Sequence, residues 1–60
     1  MIELNDPNGR KVFLAPDAIA EIYEAGPSSQ WHGIRSCIKT FDGRTIEVQE
    51  SAPDIAKQLP

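Results

Sequence analysis

The sequence predicts a mainly β domain, a small antiparallel meander of two hairpins plus a middle strand, with a short C-terminal helix. Residues 6–14 and 40–48 each place an Asn-Gly or Asp-Gly pair ahead of an arginine and an alternating apolar strand. A pair of this kind flanked by alternation is the strongest short-range hairpin signal. The helix signals follow the second of these segments, so the helix is expected at the C-terminal end.

The first hairpin turns at residues 6–9, which read Asp-Pro-Asn-Gly. The proline presets φ at the second position of a type I turn, and the glycine supplies the positive φ of the bulge that follows. Two apolar pairs then oppose each other on one face. These pairs are Leu4 with Val12 and Ile2 with Leu14.

The segment between the hairpins is ambiguous from periodicity alone. Residues 19–24 fit both helical spacing and a weak alternation, and so few residues do not decide between them. We predict a turn at residues 16–18 and then a strand. The Gly-, Pro- and Ser-containing stretch from residue 26 to 33 is predicted to be a loop.

The second hairpin allows two registers. A two-residue loop at Asp42-Gly43 would divide the apolar residues between the two faces, whereas a three-residue loop ending in a Gly43 bulge opposes Ile38 with Ile46. We prefer the second register, because a slip of one residue moves every side chain to the other face. The inner face then carries Ile34, Ser36, Ile38, Ile46 and Val48, and the outer face Arg35, Cys37, Lys39, Thr45, Glu47 and Gln49.

A helix is predicted from about Ala52 to Leu59. Ser51 can cap it, Pro53 is tolerated in its first turn, and Asp54 complements the positive end of its dipole. The predicted core combines one face of this helix with the inner faces of the strands. Its members are Ile2, Leu4, Val12, Leu14, Ile22, Ile34, Ile38, Ile46, Val48, Ile55 and Leu59.

Composition indicates one domain over residues 1–60 that needs support beyond its own core. A chain this short buries only about 60% of its unfolded surface, and Cys37 is the one cysteine of the sequence, so no internal disulfide is possible. Self-association as a homodimer is therefore expected. The N-terminus shows neither a basic signal region nor a long apolar run, which predicts a cytoplasmic location without membrane insertion.

Neither catalysis nor cofactor or metal binding is predicted. Cys37 and His32 are the one conceivable pair of nucleophile and base. On an extended strand, which rises by about 3.3 Å per residue, they would lie about 16 Å apart. His32 also lacks neighbouring zinc ligands at a recognisable spacing. We therefore expect a non-enzymatic protein.

Trp31-His32 is the most informative dipeptide for binding. Trp31 either folds back over the open end of the sheet or anchors a protein partner, since tryptophan is over-represented among energetic hot spots of interfaces. With Tyr23, these two residues form the candidate partner-binding set. Phe13 could extend it.

Nucleic-acid binding is the alternative function. Arg35, Lys39 and Arg44 could form a basic face, but Glu47 lies on the same face and the net charge is −3. An acidic chain is a poor partner for a polyanion. Nucleic acid is therefore the less favoured partner.

Apolar, turn and capping residues spread over most of the chain carry a family resemblance. These are Met1-Ile2-x-Leu4, Asn8-Gly9, Leu14, Ile19-x-x-Ile22, Ile38, Gly43, Val48 and Glu50-Ser51. With them the chain resembles the small flagellar and swarming-motility proteins of the FlbD type. The resemblance implies a non-enzymatic accessory role in motility and carries over no catalytic residue. The stretch from Pro27 to Gly33 is longer than is usual in that family.

Overall fold

The computed structural model describes residues 1–59, which form two antiparallel sheets and a C-terminal helix. The elements are β1 (Ile2–Asn5), β2 (Lys11–Leu14), a 3-10 turn (Pro16–Ala18), β3 (Ile19–Glu24), α1 (Pro27–Gln30), β4 (Ser36–Thr40), β5 (Thr45–Val48) and α2 (Ala52–Gln58). One sheet pairs β1 with β2, and the other has the order β3-β4-β5. The predicted mainly β class with a C-terminal helix is confirmed.

Both hairpins adopt the predicted registers. Ile2 pairs with Leu14 and Leu4 with Val12 in the first hairpin, and Ile38 pairs with Ile46 in the second. The two turn glycines have φ of +87° and +89°. Residues other than glycine rarely adopt this left-handed backbone conformation, so the two glycines determine where each bulge forms.

The middle segment follows the prediction, and the stretch after it does not. A 3-10 turn at Pro16–Ala18 leads into the strand Ile19–Glu24. The stretch predicted as a loop contains the helical turn Pro27–Gln30. Proline suits the first position of a helix because its missing N–H would have no intrahelical partner there.

The core agrees with the predicted set except that Ile34 is absent from it and Ile19, which was not predicted, joins it. Six apolar side chains are buried and five more pack against them. These are Ile2, Leu4, Leu14, Ile38, Val48 and Ile55, with Val12, Ile19, Ile22, Ile46 and Leu59 around them. The prediction for Ile34 was wrong because β4 begins only at Ser36, and the Ile34 N–H donates instead to the carbonyl of Ser29 at 3.1 Å.

The two sheets meet at a corner, which we call the sheet junction: Asn5, Ser36, Gln49 and Glu50. The Gln49 N–H donates to the Asn5 carbonyl at 2.8 Å. The Glu50 carboxylate accepts from the Asn5 N–H at 2.9 Å and from Asn5 Nδ2 at 2.7 Å. The hydroxyl of Ser36, which is fully buried, donates to the Glu50 carbonyl. Polar bonds therefore hold the sheets together where no strand pairing does.

Candidate functional site

Trp31 projects into solvent from the connection between β3 and β4. Its exposed fraction is 90%, the highest among the large apolar residues of the described chain. The interpretation of Trp31 as a lid over the end of the sheet is therefore wrong. An indole in this position exposes apolar surface whose transfer from water is favourable by about 25 cal/mol per Å².

The segment that carries Trp31 is braced by backbone hydrogen bonds. We call residues 26–34 the Trp31 turn. The N–H groups of Trp31 and His32 donate to the carbonyls of Pro27 and Ser29 at 3.3 and 3.0 Å. The Gln30 side-chain amide donates to the Ala25 carbonyl at 3.1 Å, which ties the turn to the end of β3. An aromatic side chain on a braced turn loses less entropy on binding than one on a flexible loop.

Gln30 and Pro27 are functional candidates that the sequence analysis missed. Together with Trp31 they line a shallow surface hollow. The sequence signal was present in the Gly-Pro-Ser-Ser order of residues 26–29, where Gly26 is the N-cap and the proline occupies the first helical position. The turn is four residues long, which is too short for helical periodicity to reveal it.

The other two predicted binding residues, His32 and Tyr23, lie in different parts of the structure. His32 is exposed and lies on the Trp31 turn itself. Tyr23 is 41% exposed and lies on the outer face of the three-stranded sheet, where it pairs across the strands with Cys37. Trp31 and His32 thus share one turn, while Tyr23 belongs to the sheet.

The basic residues of the alternative function each lie near an acidic group. The Nε atom of Arg44 is 2.8 Å from Oδ2 of Asp42. Lys39 pairs across the strands with Glu21, and Arg35 lines a groove together with Glu24. Acidic neighbours reduce the positive potential that attracts phosphates, so this geometry does not favour nucleic acid.

Cys37 is half-buried on the outer face of β4, between Tyr23 and Glu47. Burial raises the pKa of its thiol, the negative charge of Glu47 raises that pKa further, and a hydrogen bond with Tyr23 opposes both effects. The thiolate is the nucleophilic form of cysteine. A raised thiol pKa therefore makes Cys37 a poor nucleophile near neutral pH.

We expect Cys37 to react with iodoacetamide several-fold more slowly than free glutathione at pH 7. The reason is that a smaller fraction of the Cys37 thiol is ionised at this pH. A plot of its reaction rate against pH should therefore lie at higher pH than the same plot for glutathione. Glu47→Gln removes the nearby negative charge and should speed the reaction, whereas Thr45→Ala on the same strand should leave it unchanged. A wild-type rate equal to that of glutathione would contradict this expectation.

Residues 1–59 contain no cluster of three or more His, Cys, Asp or Glu side chains arranged to hold a metal ion. Across the same residues, no helix has the length and apolar character needed to cross a membrane.

The chain matches no protein-family model, no curated protein and no solved structure. The resemblance to FlbD-type proteins stays a prediction.

Proposed function

We propose that this chain is a non-enzymatic interaction protein that binds a protein partner through the Trp31 turn. The observation that carries the proposal is the 90% exposure of Trp31 on a turn held by main-chain and Gln30 hydrogen bonds. Large aromatic anchors that fill a partner's pocket supply much of the energy of protein interfaces. His32 lies beside this anchor, and Tyr23 is the third proposed contact.

The biological setting is part of the same proposal. The resemblance to FlbD-type proteins supports an accessory role in bacterial flagellar motility, in the cytoplasm. The raised pKa of the Cys37 thiol supports a role without nucleophilic catalysis. A thin core and the lack of an internal disulfide support self-association as a homodimer.

Capture of partners from native cytoplasm tests the Trp31 turn directly. We expect Trp31→Ala to fold like the wild type, because its side chain is exposed, and to bind its partner about tenfold more weakly or worse. The matched control is Phe41→Ala, which removes another aromatic that is 74% exposed on a turn. Binding should be read from titration of the captured partner, with and without nuclease.

The outcomes separate the candidate functions. A partner lost in Trp31→Ala and kept in Phe41→Ala supports the proposal, and a flagellar component as that partner supports the motility role. Equal binding by the wild type and Trp31→Ala would overturn the role of the turn. Recovery that disappears with nuclease would favour the alternative, nucleic-acid binding through Arg35, Lys39 and Arg44.

Trp31 also provides its own optical probe, since it is the one tryptophan of the sequence. Its fluorescence in the free protein should be that of a water-exposed indole, and binding should shift the emission to shorter wavelength. The shift follows the burial of the indole and so reports on the same contact as the capture experiment.

A further inference from the structure

We infer that two copies of this chain pair through the free edge of β2, in antiparallel orientation about a two-fold axis that passes beside Val12. This inference rests on the self-association in the proposed function and assigns it to a surface different from the Trp31 turn. The β1-β2 sheet then becomes a four-stranded sheet shared by both copies.

The outer edge of β1 is already occupied. The Glu3 N–H donates to Gln58 Oε1 and the Glu3 carbonyl accepts from Gln58 Nε2, both at 3.1 Å. The Asn5 N–H donates to Glu50, as described for the sheet junction. These bonds also show that the backbone groups of Glu3 and Asn5 point away from β2.

The outer edge of β2 is open in the part of the chain that the structure describes. Phe13 and Lys11 pair with Glu3 and Asn5 across the hairpin, so their backbone groups point away from β1 by the alternation of an antiparallel ladder. Within residues 1–59, no hydrogen bond to the N–H or carbonyl of Lys11 or Phe13 occupies this edge. An edge with such unpaired groups is a template for another strand.

The spacing of the open groups fits a second copy of β2. Placing Val12 opposite Val12 of the other copy sets Lys11 opposite Phe13, and Phe13 opposite Lys11. Both of these pairs present outward N–H and carbonyl groups, so the exact two-fold arrangement forms both hydrogen-bonded pairs at once. The half-buried Val12 side chains meet on the inner face.

The side chains on the outer face are compatible with this pairing. Phe13, which is 58% exposed, would lie beside the Lys11 ammonium of the other copy, an attractive cation–aromatic contact. Lysine on an edge strand usually discourages pairing. Here Lys11 Nζ is 3.0 Å from Glu3 Oε1 of its own chain, and this exposed pair reduces the positive charge at the edge without removing it.

The paired strands are short, with four residues each. The interface therefore falls below the roughly 1,200 Å² typical of stable complexes, and the dimer should form in the upper micromolar to millimolar range. Sedimentation velocity across that range measures it directly. Slowing of amide exchange at Lys11 and Phe13 with rising protein concentration gives a second reading on the unmodified chain.

Phe13→Lys discriminates between the free and paired states. In the single chain the new lysine faces Glu3, which favours folding, whereas in the dimer it faces Lys11 of the other copy. We expect this variant to be folded by circular dichroism and to associate at least tenfold more weakly. Phe13→Glu faces Lys11 in the dimer but Glu3 in its own chain, so its fold is checked by circular dichroism, and the folded variant should still associate.

The Trp31→Ala variant separates this inference from the proposed function. Wild-type dimerisation that survives in Trp31→Ala and is lost in Phe13→Lys supports pairing through β2. Association of Phe13→Lys equal to the wild type would overturn it, as would its loss in Trp31→Ala or a wild-type chain that stays monomeric. Partner capture through the Trp31 turn is measured separately, with Trp31→Ala and Phe41→Ala, so failure of the β2 pairing and failure of the proposed function are distinguishable.

Discussion

Ile38→Ala should destabilise the protein by about 2–5 kcal/mol, the range measured when buried isoleucine or leucine is truncated to alanine. Ile38 is fully buried on the central strand β4, between Ile22 on β3 and Ile46 on β5. The cost combines lost burial with the cavity left behind. Since one small core rarely supplies more than about 3–5 kcal/mol, a large share of the variant should be unfolded at room temperature.

Urea unfolding followed by circular dichroism measures this effect. Ile46→Ala is the matched control, because the same side chain is removed from the facing position, where it is only partly buried. Its free energy of unfolding should fall by less than that of Ile38→Ala. Ile38→Val, which should cost about 0.5–1.5 kcal/mol, keeps the chain folded and gives a measurable midpoint. Equal losses for the two alanine variants would contradict the central place of Ile38 in the core.

Glu50→Ala should destabilise the protein by about 1.5–3 kcal/mol and should loosen the sheet junction. The carboxylate accepts from both the N–H and the side-chain amide of Asn5, at 2.9 and 2.7 Å. Hydrogen bonds to a charged acceptor contribute about 1.5–3 kcal/mol, and removing the acceptor leaves two partly buried donors without their partner.

Chemical unfolding together with amide hydrogen exchange checks this prediction. Exchange at Asn5 should quicken in Glu50→Ala, whereas the exposed Glu47→Ala should leave it unchanged. A double-mutant cycle with Asn5→Ala isolates the bond from the Asn5 side-chain amide, because the Asn5 N–H remains in that variant, and its coupling energy should account for part of the loss. A coupling energy near zero would contradict a direct role of this contact in joining the sheets.

Local chemistry made the hairpins and the helix predictable. The two turn glycines place each bulge, and the resulting registers pair Leu4 with Val12 and Ile38 with Ile46. Ser51 caps α2 by accepting from the Asp54 N–H at 3.3 Å. In each of these elements the turn or capping residue and the apolar pattern favour the same structure, which is why the prediction held.

Ile34 and the Trp31 turn show where such agreement ends. The alternation of β4 extends back to Ile34 in the sequence, yet the hydrogen bond from its N–H to Ser29 holds it with the turn. Trp31 allowed two positions, over the sheet or in solvent, and its sequence neighbours favoured neither. Its 90% exposure depends on how the turn is anchored to Ala25, a contact that involves a side chain five residues away.

The hairpins, their registers and the capped helix were predictable from the sequence, because turn geometry and alternation act over a few neighbouring residues. Long-range packing, by contrast, places β2 and β3 in separate sheets and brings Glu50 and Gln58 to the edge of β1. Within residues 1–59, the same packing leaves the backbone groups of Lys11 and Phe13 on the edge of β2 without a hydrogen-bond partner. These outcomes depend on contacts between residues as many as 55 positions apart, and no local pattern specifies which polar group will reach an edge.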